Sequence, residues 1–487
     1  MEIAPQELIA KYESVIGLEV HVQLATRTKI FCGCPTSFGA APNSNVCPVC
    51  CGLPGALPVL SRQAVELAIR GALALNCEIR PLSRFARKNY FYPDSPKGYQ
   101  ISQYDQPFAE WGYLDIGVNG ETKRIKVTRV HMEDDAGKSL HEGFRDSAKY
   151  TYVDLNRSGT PLIEIVSEPD MRSSDEAFAY LTELKQNVQF VQASTCDMEK
   201  GHLRCDANVS VRHWGQKELG TKVEVKNLNS FRFLREAIDY EIARQVAVIE
   251  SGGKIHQETR LFNPDTGVTA GMRSKEEAHD YRYFPEPDLA PLRIGDAWLQ
   301  SIKASVPELP GARRIRFVSK LGLSEYDSQV LTASRGLADY FEAVAKVAGD
   351  AKIAANWVMG DLAALLKNAG LEIEESPVSA QSLGELVAMI LSGALTGKLA
   401  KEVLPKMFES GDTAAAVVER EGLKTISDTG ELERMIDEAI AGNPKQLEQY
   451  RAGKVALIGF FVGQVMKASR GQANPAVVND IVKAKLG

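Results

Sequence analysis

At 487 residues, with 44% hydrophobic and 25% charged side chains, the chain is too long for one ordinary domain and too apolar for a disordered one, so two to four folded domains are predicted. A net charge of −6 argues against a surface that grips nucleic acid over its whole extent. Met1 to Tyr12 carries Glu2 and Glu7 without an apolar stretch, and no run approaches the roughly 20 apolar residues that cross a bilayer, so a cytoplasmic protein is expected.

Taken in chain order, the first clear element is Ile16 to Leu24. Leu18, Val20, Val22 and Leu24 alternate with Glu19, His21 and Gln23, the period of a half-buried strand. Next come Cys32-Gly-Cys34 and Cys47-Pro-Val-Cys50, two close pairs separated by twelve residues. In a cytosolic chain such clustering points to metal rather than disulfide. Four thiolates suit tetrahedral zinc with no open position, a structural ion that staples a Gly/Pro-rich loop. The adjacent Cys51 is assigned no part.

A helix is predicted over 62–75. After it, Arg84 to Tyr99 mixes Arg84, Arg87, Lys88 and Lys97 with five aromatics, groups that together fit a nucleotide or a tRNA end. The stretch His131 to Ser139 holds Glu133, Asp134 and Asp135. Helices are expected over 174–191 and 231–251, the second closed by Gly252-Gly253. Alternation at 206–211 and 222–226 puts Asp206 and Glu224 on the polar sides of two strands. The pattern predicts an α+β fold built on an antiparallel sheet. Beyond Pro310 the spacing turns helical, over 324–348, 351–369 and 382–410, with Pro405 marking a break. A smaller all-helical unit is expected from about Gly411, with helices over 455–468 and 479–486. Its end is basic: Arg451, Lys454, Lys467, Arg470, Lys483 and Lys485 stand against Asp480 alone.

Acids spread over several strands become chemistry only if they converge, when they would form an oxygen-rich magnesium site suited to phosphoryl transfer. His21 is an unusual magnesium ligand, and fits contact through water or tolerance of manganese. Ala136-Gly-Lys-Ser139 imitates the end of a P-loop, but Met132 occupies the place of its first glycine. The Gly/Ser-rich signature of an amidase nucleophile is absent. If the chain consumes ammonia, a partner must release it from glutamine.

Several segments together resemble the B subunit of the tRNA-dependent amidotransferase, the GatCAB family: Val15 to Leu24, Arg87 to Asp94, Tyr99 to Pro107, His131 to Ser139, Asn156 to Glu164, Leu203 to Asn208, Val225 to Phe231 and Asp280 to Asp288. The resemblance implies an antiparallel-sheet cradle over 1–295 that binds ATP, magnesium and the aminoacyl end of tRNA. A helical domain over 296–410 and a YqeY-like tRNA-binding tail over 411–487 would follow. It further implies an ATP-dependent ligase that phosphorylates the side-chain carboxylate of Glu-tRNA(Gln) or Asp-tRNA(Asn) and amidates it. The ammonia would come from a glutaminase partner, the A subunit, with the small C subunit holding the complex together. On that reading Glu19, His21, Asp206 and Glu224 hold or surround magnesium, with Glu133 or Asp134 beside them. Arg87, Lys88 and Lys97 would meet phosphate or line the ammonia route. Cys32, Cys34, Cys47 and Cys50 would bind zinc. The run Glu133-Asp134-Asp135 departs from the family's more usual two glutamates before one aspartate, so Asp134 keeps the charge with a shorter reach. Two other classes compete: a tRNA-binding scaffold without catalysis, and a zinc hydrolase, which would need an open zinc position that four cysteines do not leave.

Overall fold

A computed structural model describes residues 3–272, 281–423, 429–469 and 471–486. The chain forms two compact units, the first ending at Leu309 and the second beginning at Pro310.

The strands of the first unit are, in chain order, β1 (Tyr12–Gln23), β2 (Glu78–Ile79), β3 (Leu82–Ser83), β4 (Ala86–Asn89), β5 (Tyr99–Ser102), β6 (Ala109–Val118), β7 (Glu121–Asp134) and β8 (Lys138–Leu140). They continue with β9 (Tyr152–Asp154), β10 (Pro161–Ser167), β11 (Leu203–His213), β12 (Val223–Lys226), β13 (Thr259–Asn263), β14 (Val268–Gly271), β15 (Phe284–Pro285) and β16 (Leu292–Arg293). Nine of them make one sheet in the order β14-β13-β12-β11-β1-β10-β7-β6-β2. Every pairing in it is antiparallel except β12 with β13. The α+β architecture expected from the alternating strands is therefore present.

The period of two decides which face of this sheet is core. Leu18, Val20 and Val22 are buried on one side of β1, and they join Ala207 and Val209 of β11 and Ile163 and Ile165 of β10 in a single apolar cluster. Three helices cover that face: α1 (Arg62–Ala74), α2 (Ser174–Phe190) and α3 (Phe231–Glu250). Each starts on a serine whose hydroxyl accepts a backbone N–H, Ser61 from Ala64, Ser173 from Glu176 and Ser230 from Phe233, a cap worth ~1 kcal/mol per helix. The opposite face keeps the polar members of the same strands. A further helix, Asp296–Ser305, contributes the buried Ile302 to this first core.

The second unit is helical. The stretch 324–348, which reads as one periodic run, divides into Glu325–Leu331 and Arg335–Ala348 because Ser334 caps a new start by accepting from Leu337 N–H. Between Ala351–Trp357 and Ala363–Ala369 the helix widens into a π turn at Val358–Leu362. The expectation that Pro405 breaks a helix is corrected. The interruption lies at 392–396, where Gly393 takes φ 76° and Thr396 caps the next helix. Pro405 sits inside Gly397–Ser410, whose Leu399, Val403, Leu404 and Met407 are buried, and that burial outweighs one lost backbone hydrogen bond. Ala414, Val417 and Val418 belong to this same core. A smaller core, built on Leu432, Ile436, Phe461, Val465, Val478 and Val482, follows.

Candidate active site

The polar face of the sheet brings residues from β1, β7, β10, β11 and β12 together by register. Across β1 and β11, Glu19 stands opposite Asp206 and His21 opposite Arg204. Across β1 and β10, His21 stands opposite Glu164, which in turn faces His131 of β7. Directly opposed residues on one face lie within about 5.5 Å at Cβ, so this alignment alone makes a continuous charged row.

Glu164 is its centre. Its Oε2 lies 3.2 Å from His21 Nε2 and 3.6 Å from His131 Nε2. His131 Nε2 is also 3.3 Å from Glu133 Oε1, while its Nδ1 is buried without a hydrogen-bond partner. Two ligand sets result, Glu19–His21–Glu164 and His131–Glu133–Glu164, with the ligand atoms of each within 4.8 Å of one another. Donors around magnesium at about 2.1 Å stand roughly 3 to 4.2 Å apart, so both sets can close on a hard divalent cation. Their imidazoles equally suit manganese.

Burial and mutual repulsion set the charges. Burial, followed by the neighbouring Glu164 carboxylate, raises the Glu19 carboxyl above its ordinary value. Burial opposes a charge on His21, yet the hydrogen bond to Glu164 and the fields of Glu164 and Glu133 raise the imidazole to about 9. Glu133 is also buried, but His131, Lys88 and His21 together hold it well below the usual carboxylate range. It accepts hydrogen bonds from Ser102 Oγ at 2.7 Å and Gln100 Nε2 at 3.0 Å.

Lys88, on β4, faces this end of the row. Burial opposes its charge, and Glu133, Tyr283 and Glu164 raise its pKa above the usual lysine value. Its Nζ lies 5.0 Å from the Tyr281 ring centroid, and Tyr283 stacks on Tyr104 at 4.2 Å. Lys97 forms an ion pair with Asp134, whose Oδ1 accepts from Ile101 N–H at 2.7 Å. Asp135 is held by Arg204 Nη2 and Gln23 Nε2, each at 2.9 Å. Arg87 makes a bidentate pair with Glu286 at 2.7 and 2.8 Å and reaches Asp288 at 3.0 Å.

The structure thus brings Glu19, His21 and Glu133 together through Glu164 and His131, neither of which stands out in the sequence as a site residue. Asp206 and Glu224 stand outside both ligand sets. Lys226 Nζ lies 2.8 Å from Asp206 and 3.8 Å from Glu224, and Glu224 accepts from Thr259 Oγ1 at 2.8 Å. Glu164 has a signal, a lone acid in the apolar strand Pro161–Ser167, but nothing in the sequence states which residue it faces. Asp280, in one of the motifs above, and Arg470 of the basic end lie outside the described residues.

The cysteines form a separate centre. Cys32, Cys34, Cys47 and Cys50 gather within 4.8 Å and could hold a metal ion, while Cys51 is not among them. Cys47 and Cys50 sulfurs are 3.9 Å apart, close to the about 3.8 Å that tetrahedral Zn–S bonds require. Lys29 is fully buried, with Nζ 3.4 Å from Cys50 Sγ. The loop packs on the site's neighbour: a Cβ on Gly52 (φ 66°) would come within 2.9 Å of Lys97 Cα. Between loop and sheet lies a cavity of about 230 Å³ lined by Lys29, Phe31, Cys50, Lys97, Tyr99 and Asp134.

A buried row of carboxylates and imidazoles, flanked by lysines on the polar face of an α+β domain, is an arrangement that could hold a metal ion. Residues 14–300 match the GatB/GatE catalytic domain family, and residues 339–486 match the GatB domain family. The aspartyl/glutamyl-tRNA(Asn/Gln) amidotransferase B subunit of Geotalea daltonii is 58% identical over 476 residues, 98% of this chain and 99% of the relative. Its namesakes from Syntrophotalea carbinolica (55% over 479 residues, 98% and 99%) and Persephonella marina (53% over 477 residues, 98% and 100%) are similar throughout. The chain belongs to the GatB family, the B subunits of tRNA-dependent amidotransferases.

Proposed function

We propose that this chain is the amidating member of a glutamine-dependent carbon–nitrogen ligase. It would use ATP to activate the side-chain carboxylate of Glu-tRNA(Gln), Asp-tRNA(Asn) or both, and convert it to the amide with ammonia. That ammonia would come from a glutaminase partner, the A subunit, and the C subunit would complete the assembly in the cytoplasm. The observation that carries this reading is the pair of carboxylate–imidazole sets sharing Glu164 on one sheet face. A carboxylate resists ammonia because oxide is a prohibitive leaving group, and an acyl phosphate removes that obstacle. The substrate carboxylate oxygen attacks the γ-phosphorus, the bond to the β-phosphate oxygen breaks, and ADP leaves with the electron pair. Ammonia then attacks the acyl carbon, phosphate departs, and a neighbouring carboxylate accepts the surplus proton.

Magnesium held by Glu19, Glu164 and Glu133, and by His21 and His131 as neutral imidazoles once the cation displaces the His21 proton, would offset the charge on both anions. Lys88, set against Glu133 and Glu164, meets phosphate or the incoming ammonia. Asp134 holds Lys97 in place through their ion pair. Arg87, locked to Glu286 and Asp288, acts by fixing β4 and hence Lys88. The Cys32–Cys34–Cys47–Cys50 set would carry structural zinc. The parse into a cradle over 1–295, a helical domain over 296–410 and a tRNA-binding tail over 411–487 belongs to this reading.

The test is amide formation on Asp-tRNA(Asn) and Glu-tRNA(Gln) by the complex reconstituted with its A and C partners, with and without ATP. ATP-dependent conversion of either, abolished by Glu19→Gln while glutamine hydrolysis persists, is the expected result. No conversion by the unaltered complex, with glutamine hydrolysis intact, would leave a scaffold and overturn the proposal.

A further inference from the structure

The charged row ends in a cation that none of the roles described so far uses. Lys226 closes β12, and continuing the β11–β12 register by one step sets it across from Asp206, which faces Glu19 on the next strand. Its ammonium lies 2.8 Å from Asp206 Oδ2 and 3.8 Å from Glu224 Oε1. The second distance exceeds hydrogen-bond range. An ammonium has three donors, so the Asp206 bond leaves N–H groups available. The side chain is 41% exposed, whereas Asp206 is 16% and Glu224 7% exposed. The buried carboxylates thus anchor a lysine whose own side chain stays part-exposed to solvent.

The anchorage is firm at every point. Thr259 Oγ1 donates to Glu224 at 2.8 Å. Asn227, at φ 69°, fixes the end of the strand by donating Nδ2 to Phe262 O at 2.9 Å. Burial works against the charge on Lys226, but Asp206 and Glu224 outweigh it. A lysine held in ion pairing with a carboxylate, close to the acids that carry a divalent cation, is how protein kinases present a lysine to nucleotide phosphates.

We propose that Lys226 is a catalytic residue of the activation step, binding the phosphoryl oxygens of the nucleotide beside the Glu19–His21–Glu164 set. This rests on the ATP-dependent reading above. As the carboxylate oxygen attacks the γ-phosphorus and ADP departs, charge spreads over the phosphoryl oxygens, and the ammonium donates to them. Lys88 serves the opposite end. Four strand spacings separate β12 from β7, about 19 Å at the backbone, so the two ends of the row engage different parts of the reacting pair.

The experiment compares Lys226→Met and Lys226→Arg with the unaltered chain, each in the full A–B–C complex. KM and kcat are measured for ATP, for glutamine and for the acylated tRNA. Hydroxylamine replaces ammonia in a parallel assay to trap the acyl phosphate as a hydroxamate. K226M is expected to lower kcat/KM for ATP by about 100-fold, the scale of one lost transition-state donor. Hydroxamate yield should fall in step, KM for glutamine should stay unchanged, and K226R should recover part of the loss. Unchanged kcat/KM for ATP in K226M overturns the assignment. So does lost amide formation with hydroxamate retained, which would place Lys226 at the ammonia step. If K226M fails to assemble, K226Q carries the same comparison. Neither amide nor hydroxamate from the unaltered complex would defeat the ATP-dependent reading itself, and this assignment with it.

Discussion

Glu164 is the residue on which both ligand sets depend, since one carboxylate serves His21 and His131 at once. Glu164→Gln keeps size and most hydrogen bonding while deleting the charge. We predict at least tenfold weaker Mn²⁺ binding, a loss comparable to those seen when a metal site's supporting groups are removed, measured by electron paramagnetic resonance on the reconstituted complex. Equal affinity in the variant would show that the shared carboxylate holds no cation. Much of this site can be read before any coordinates. Glu19 and His21 are legible because a period of two separates them from Leu18, Val20 and Val22. Their partners are not, because pairing across a sheet depends on register between segments more than a hundred residues apart. Arg87 shows the converse. Its position beside Lys88 in an aromatic, basic run suggests phosphate, and the structure instead commits its guanidinium to Glu286 and Asp288.

Among the elements, the cysteine loop is the one whose influence exceeds its size. Gly52 has φ 66°, and any Cβ there would press on Lys97. Gly52→Ala should destabilise the first unit by about 1–3 kcal/mol, through strained backbone and the clash together, and move Lys97 away from Asp134. Thermal unfolding of the complex would measure the first effect. A melting temperature equal to that of the unaltered complex would show that the loop rests loosely on its neighbour. Treatment with a thiol-directed chelator should likewise lower the melting temperature and release one zinc per chain, read by a colorimetric indicator. No released metal would mean that the four thiols stand without an ion. The pairing of short cysteine spacings tells of this centre directly, because ligand chemistry is local. Helix breaks at 332–334 and 392–396 are less legible, since serine and threonine caps compete there with an uninterrupted apolar period. Pro405 misleads for the reason that burial of one face can carry a helix through a proline.

For the whole molecule, the boundary near Gly411 matters for any dissection. Val417 and Val418 pack with Leu399, Val403 and Met407, so a chain ended after Ser410 strips apolar contacts from the preceding helices. At ~25 cal/mol per Å² of apolar surface, that exposure would unsettle the second unit. A chain ended after Leu423 keeps that core whole. We predict that the longer truncation assembles with its partners and binds tRNA more weakly than the full chain. Native electrophoresis and filter binding would check both statements. Undiminished tRNA affinity would remove the basic tail from recognition. Fold class and the order of helices are open to sequence reasoning, because hydrophobic period is a property of single segments. The place where one packed body ends and another begins is set by which faces meet, and no local pattern states it.

The cross-strand alignment at Glu164 also bears on how such a protein can change over time. Substitutions along β10 alter one side chain each, and many leave the alternation intact. Losing or gaining a single residue within Pro161–Ser167 would instead turn every side chain over. Ile163 and Ile165, now in the core, would face the charged row, and the Glu164 carboxylate would be driven in among Val20 and Val22. Descendants of this chain can therefore drift in spelling along that strand but not in length, and insertions have to accumulate in the connections on either side of it.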